Sequence, residues 1–82
     1  MTELEDYFIT FIEYYYNYDL YLPDLIHSVI SMFCYTKHLE YNKATNEYDK
    51  VIELMIKYEL YGTADLCESI HYIYDKYIEP NK

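Results

Sequence analysis

Arginine and tryptophan are absent from this chain, glycine occurs once (Gly62) and proline twice (Pro23 and Pro80). So few turn-forming residues argue against a many-stranded sheet and for helices. One glycine also leaves little from which to build a phosphate-cradling loop or an oxyanion turn, so no enzymatic activity is expected. Positive charge is equally scarce: six lysines stand against fifteen acids, for a formal net charge of -9. Nucleic acid and anionic membranes are gripped by clustered Lys and Arg, and neither is expected as a direct partner. No apolar run approaches the ~20 residues of a transmembrane helix, and the N-terminus shows neither a charged n-region nor an apolar h-region. A soluble, cytoplasmic protein is therefore expected. Two cysteines, Cys34 and Cys67, are too few for a disulfide framework and should stay reduced in a cytosol.

What the chain has in quantity is acid and tyrosine. Its 82 residues are 52% apolar with Tyr counted, enough for the core of one domain spanning 1–82. An AT-rich codon bias would favour Tyr, Ile and Asn, but it would favour Lys too, and Lys is scarce. Five of the fourteen tyrosines fall within Glu13 to Leu22, beside Glu13 and Asp19 and with no cation. A buried phenol needs a hydrogen-bond partner, so a core has little room for so many. Tyr15 fits the core stripe, whereas Tyr14, Tyr16, Tyr18 and Tyr21 are expected to include surface rings beside carboxylates.

The apolar spacing predicts an all-α fold, a compact bundle of about four helices. Thr2-Glu3-Leu4-Glu5 reads as a capping box opening helix one, whose core stripe is Leu4, Phe8, Phe11, Ile12 and Tyr15. Pro23 suits the first position of helix two, with Ile26, Val29, Ile30 and Phe33 as its stripe and Leu25 and Met32 widening it. Residues 39–44 read as a loop, with a continued helix as the alternative, and Thr45 as the N-cap of helix three, with Tyr48, Val51, Ile52 and Met55 inward. Gly62 is the expected left-handed residue after helix three, and Thr63 caps helix four, which runs to Pro80. Helices three and four are expected to form a tight hairpin. On helix three, Glu53 is expected to pair with Lys50 and Lys57.

Two equal spacings suggest a metal: Cys34-x-x-x-His38 and Cys67-x-x-x-His71. On helices each pair would share a face, and two such helices could offer a tetrahedral zinc set. The simpler reading is two small apolar thiols in the core, with no metal and no cofactor.

Charge distribution points elsewhere. Residues 1–36 carry six acids and no lysine, while residues 37–82 carry nine acids and all six lysines. A surface that served solubility alone would mix its signs. An acidic, tyrosine-bearing face on a rigid helical frame can steer towards a basic partner and stack on its Arg side chains. Through this composition, and through Glu13-Tyr14-Tyr15-Tyr16-Asn17-Tyr18-Asp19, the chain resembles small phage- or mobile-element-encoded DNA mimics: anti-CRISPR proteins, anti-restriction proteins and inhibitors of DNA-repair enzymes. That resemblance implies stoichiometric inhibition in the host cytoplasm, by occupying the basic nucleic-acid-binding surface of a nuclease or CRISPR effector. The expected contact residues are Glu3, Asp6, Glu13, Tyr14, Tyr16, Tyr18, Asp19, Tyr21 and Asp24. The alternative is a homo-oligomeric structural or adaptor module, and homodimerisation is compatible with either.

Overall fold

The computed structural model describes residues 3–17, 22–60 and 64–82, with the side chains of 14, 17 and 64–66 excepted. Among the described residues four helices follow one another: α1 (Glu3–Asn17), α2 (Pro23–Lys37), α3 (Tyr41–Lys57) and α4 (Ala64–Ile73). Helix α4 widens into a π-helical turn at Tyr74–Ile78 and closes with a 3-10 turn at Glu79–Asn81 that contains Pro80. The described residues include no strand, so the expected all-α bundle is what the chain forms.

Phe8, Phe11 and Tyr15 of α1 enter the core as their spacing predicts, and Phe11 is fully buried. Helix α2 is turned from its expected orientation. Its buried residues are Leu25, Ser28, Val29, Met32 and Thr36, whereas Ile30 is half exposed and Phe33 only partly covered. The inward polar residue Thr36 is tolerated because its hydroxyl donates to the Met32 carbonyl at 2.7 Å.

Helix α3 begins at Tyr41, four residues before the expected cap. Thr45 lies inside the helix, where its hydroxyl donates to the Tyr41 carbonyl at 2.8 Å. Residues 41–44 can be helical because the chain reverses sharply just before them. Leu39 takes a left-handed φ of 61°; the Glu40 amide donates back to the Tyr35 carbonyl and the Leu39 amide to Thr36. These two bonds make a Schellman motif. The same device ends α3: Glu59 has φ 59°, the Leu60 amide donates to Met55 and the Glu59 amide to Ile56. Gly62, expected in that role, lies outside the described residues, as do Thr2 and Thr63.

Both left-handed positions are thus held by residues with a Cβ, a conformation that costs roughly 1–2 kcal/mol relative to the right-handed region. Leu39 is 70% exposed, so its side chain contributes little packing. Leu39→Gly is expected to raise stability by about 0.5–1 kcal/mol. In thermal melts this would be a midpoint several degrees higher, and an unchanged or lower midpoint would contradict the strain argument.

Packing proceeds by pairs. Helix α2 lies most closely along α3, joined by the reversal at 38–40, and α1 along α4, while α3 meets the π turn that extends α4. The link from α3 to α4, expected as a tight hairpin, passes through residues 61–63, outside the described residues. The π turn has a packing consequence. Ile73 and Ile78 are both fully buried, although five residues separate them, about 140° out of alignment on an α-helix of 3.6 residues per turn. The wider turn brings the two onto one side. Helices α1 and α2 are not among the closely packed pairs, and a groove lies along their seam.

Candidate functional site: the open seam between α1 and α2

Three tethers hold α1 and α2 antiparallel. At one end the Leu22 amide donates to the Tyr15 hydroxyl at 2.6 Å. In the middle the Phe8 and Phe33 rings meet with centroids 4.5 Å apart. At the other end Lys37 pairs with Glu5 at 3.1 Å. Between the tethers the backbones stay apart, leaving a groove of about 480 Å³. Phe8, Ile9, Ile12, Val29, Ile30 and Phe33 supply its apolar lining, and Glu5, Glu13 and Lys37 its polar edge. Ile9 is 41% and Ile30 49% exposed. A large β-branched side chain that remains half exposed along an apolar groove is a characteristic of binding surfaces. Tyr16, 71% exposed, follows Ile9 and Glu13 along the same side of α1 at helical spacing.

Sequence reasoning missed this site for one reason. Ile30 and Phe33 were assigned to the core of α2, and Ile9 was assigned to no stripe. The usable signal was a surplus of apolar residues: α1 and α2 each carry a wider apolar arc than one packed neighbour can cover.

The expected acidic face is partly consumed by the fold. Glu3 holds Lys76 at 2.5 Å, and Glu5 holds Lys37. Two lysines of the second half of the chain therefore fold back onto the cation-free first half, which sequence position alone conceals. The Asp24 carboxylate accepts from the Tyr58 hydroxyl at 2.8 Å and from the Leu25 amide. Asp6, Glu13 and Tyr16 stand exposed on α1. The Tyr14 side chain, Tyr18, Asp19 and Tyr21 lie outside the described residues. On α3, Lys50 pairs with Glu47 at 3.4 Å instead of Glu53, and Lys57 sits over the Tyr58 ring.

Hydrogen bonds and charge shift several of these groups. The Lys76 ammonium holds the Glu3 carboxyl below its ordinary range, and Glu3 in turn raises Lys76. The Tyr58 hydroxyl does the same for Asp24. A carboxylate whose pKa is lower in the folded protein stabilises the fold above the ordinary carboxylate range, about 3.9–4.3, and that contribution vanishes as pH falls through the folded value. The stability difference between wild type and Tyr58→Phe should accordingly be largest near neutrality and shrink below about pH 4. Urea titrations across pH check this, and a difference constant down to pH 2.5 would contradict it.

The C-terminal extension gathers tyrosines from α1, α3 and α4. Tyr48 and Tyr74 stack with centroids 4.0 Å apart, the Tyr48 hydroxyl meets His71 Nδ1 at 2.7 Å, and Tyr72 packs on Tyr7. Lys82 donates to the Tyr74 hydroxyl at 2.7 Å. This is a tied-down network in which phenols and lysines satisfy one another. One member is left out: the Tyr77 hydroxyl is buried without a hydrogen-bond partner among the described residues. Burial pushes its pKa up, and so does the interaction of its hydroxyl with the nearby Glu3 carboxylate. Tyr77→Phe removes an orphaned polar atom and should stabilise by about 1 kcal/mol, read from the urea midpoint.

The cysteine and histidine pairs do not form a ligand set among the described residues. Cys34 is exposed, not in the core as expected, because α2 buries positions 25, 29, 32 and 36 and position 34 falls off that stripe. The Cys67 thiol is partly buried, donates to the Leu60 carbonyl at 3.4 Å, and is pushed up in pKa by desolvation. His71 is engaged by Tyr48, and His38 is the exposed C-cap of α2. No helix among the described residues is long and apolar enough to cross a membrane.

Compared with family models, with curated proteins and with solved structures, the chain finds no match.

Proposed function

We propose that this protein is a non-enzymatic protein-interaction module whose α1–α2 seam receives a segment of a partner protein. The observation that carries this reading is the groove itself: an apolar slot with Ile9 and Ile30 half exposed along it, between helices that are not among the closely packed pairs. The test is cross-linked capture from a host lysate with wild-type protein and with Ile30→Lys as paired baits. A protein recovered by the first and lost by the second supports the module. Identical recoveries would rule out the groove as its binding surface.

A second reading, favoured by the formal charge of -9 and by exposed Asp6 and Glu13, makes the partner a basic nucleic-acid-binding protein or effector complex that this module inhibits by excluding DNA or RNA. Two of its expected contacts, Glu3 and Asp24, are already engaged within the chain, so its weight rests on Asp6 and Glu13. Asp6→Lys with Glu13→Lys should then abolish inhibition while helicity is kept. Competition by duplex DNA and steep weakening with salt would accompany a mimic, because its contacts are ionic.

A further inference from the structure

We infer that the occupant of the α1–α2 groove is an amphipathic helix of a basic partner, its apolar stripe seated in the seam and its Lys or Arg side chains lying over α1. This rests on the groove being a protein-binding site, and it commits to the chemistry of what binds.

The first observation is that the two walls differ in charge. Along α1 the carboxylates of Glu5 and Glu13 edge the groove beside Ile9 and Ile12, and Asp6 stands exposed on α1 outside the lining. The α2 wall offers Val29, Ile30 and Phe33 with one cation, Lys37, which Glu5 already holds. Asp6 and Glu13 stand exposed on either side of Ile9. They are seven residues apart, about 10.5 Å at 1.5 Å per residue, which is two helical turns. A helix laid antiparallel or parallel to α1 presents cations at the same two-turn interval. Charge complementarity thus favours a basic flank on one side of the ligand and tolerates a neutral one over α2.

The second observation concerns backbone. Both walls are helices whose amides and carbonyls are bonded within the helix, and the lining is apolar. An extended strand laid there would bury amides with nothing to receive them, whereas a helix satisfies its own. A second copy of this chain fits poorly. It would bring a formal charge of -9 against the same wall, and five of its lysines (Lys37, Lys43, Lys50, Lys76 and Lys82) are held in ion pairs of their own.

The test uses two stapled helical peptides with the same leucine stripe at i, i+3, i+4 and i+7, one with lysine on its flank and one with glutamate. Isotope-labelled protein is titrated with each and followed by amide chemical shifts. The expected result is saturable shifts centred on Ile9, Ile30 and Phe33 with the lysine peptide. Affinity for the glutamate peptide should be at least about tenfold weaker at low salt, a gap that narrows as salt rises. Ile30→Lys should lose the shifts while keeping its helical spectrum. Equal affinity for both peptides overturns the charge rule, and silence of those amides with both overturns the helical occupant. So does a wild-type dimer that Ile30→Lys dissociates in sedimentation, since the occupant would then be another copy. In the first two cases the interaction module itself still stands or falls on the paired lysate capture.

Discussion

Phe11→Ala should cost about 3–5 kcal/mol of stability, most of what a domain of this size has to lose. Phe11 is fully buried where α1 faces the rest of the bundle, and its ring is among the largest side chains with no exposure. Truncation removes its transfer free energy and leaves a cavity that fixed helices cannot fill by collapsing. At roughly 4–8 °C per kcal/mol for a small domain, the melting midpoint should fall by about 12–40 °C. Ile9, two residues earlier on the same helix, provides the control. It is 41% exposed, so Ile9→Ala should cost no more than about 1 kcal/mol. Urea and thermal unfolding of the two variants would read the contrast directly. Comparable losses from both would mean that α1 buries a different face, and that the seam is core and not a binding surface.

That contrast also marks where the sequence was readable and where it was not. The stripe of α1 was legible because Phe8, Phe11 and Tyr15 are large, regularly spaced and flanked by acids, so one orientation alone buries them. Helix α2 was less so. Leu25, Ile26, Val29, Ile30, Met32 and Phe33 form one apolar arc of about 160° at 3.6 residues per turn, and periodicity cannot choose which part of so wide an arc faces inward. The choice is made by tertiary packing on α3, which draws in Leu25, Val29, Met32 and even Ser28. Ile30 and Phe33 are then left for the seam. Turn chemistry misled in a different way. The single glycine is the natural candidate for a left-handed residue, yet Leu39 and Glu59 take that conformation at the ends of α2 and α3. Nothing local marks them. Their geometry follows from the short reversal between two helices that pack closely on each other. The acidic face was legible as composition but not as surface, because Lys37 and Lys76 reach Glu5 and Glu3 from the other half of the chain.

The double substitution Ile9→Lys with Ile30→Lys should abolish partner capture with little change in stability. Each isoleucine is already 41–49% in water, and the stem of a lysine can lie along the apolar wall with its ammonium in solvent. The net stability change should stay within about 1 kcal/mol, helped by adding positive charge to a protein of formal charge -9. Binding is a different matter, because anchors at the centre of an interface are worth roughly 2 kcal/mol or more each, about thirtyfold in affinity. A charged head placed where the partner's apolar stripe must seat adds desolvation to that loss. The matched control is Ile56→Lys, the same chemical change at a 59% exposed position on α3 that does not line the groove. If the seam is the site, the control keeps the partner and the double variant loses it, by pull-down and by titration against the lysine-flanked peptide. Loss of capture by Ile56→Lys with retention by the double variant would instead put the working surface on α3, and the open seam would be a packing defect that the fold tolerates.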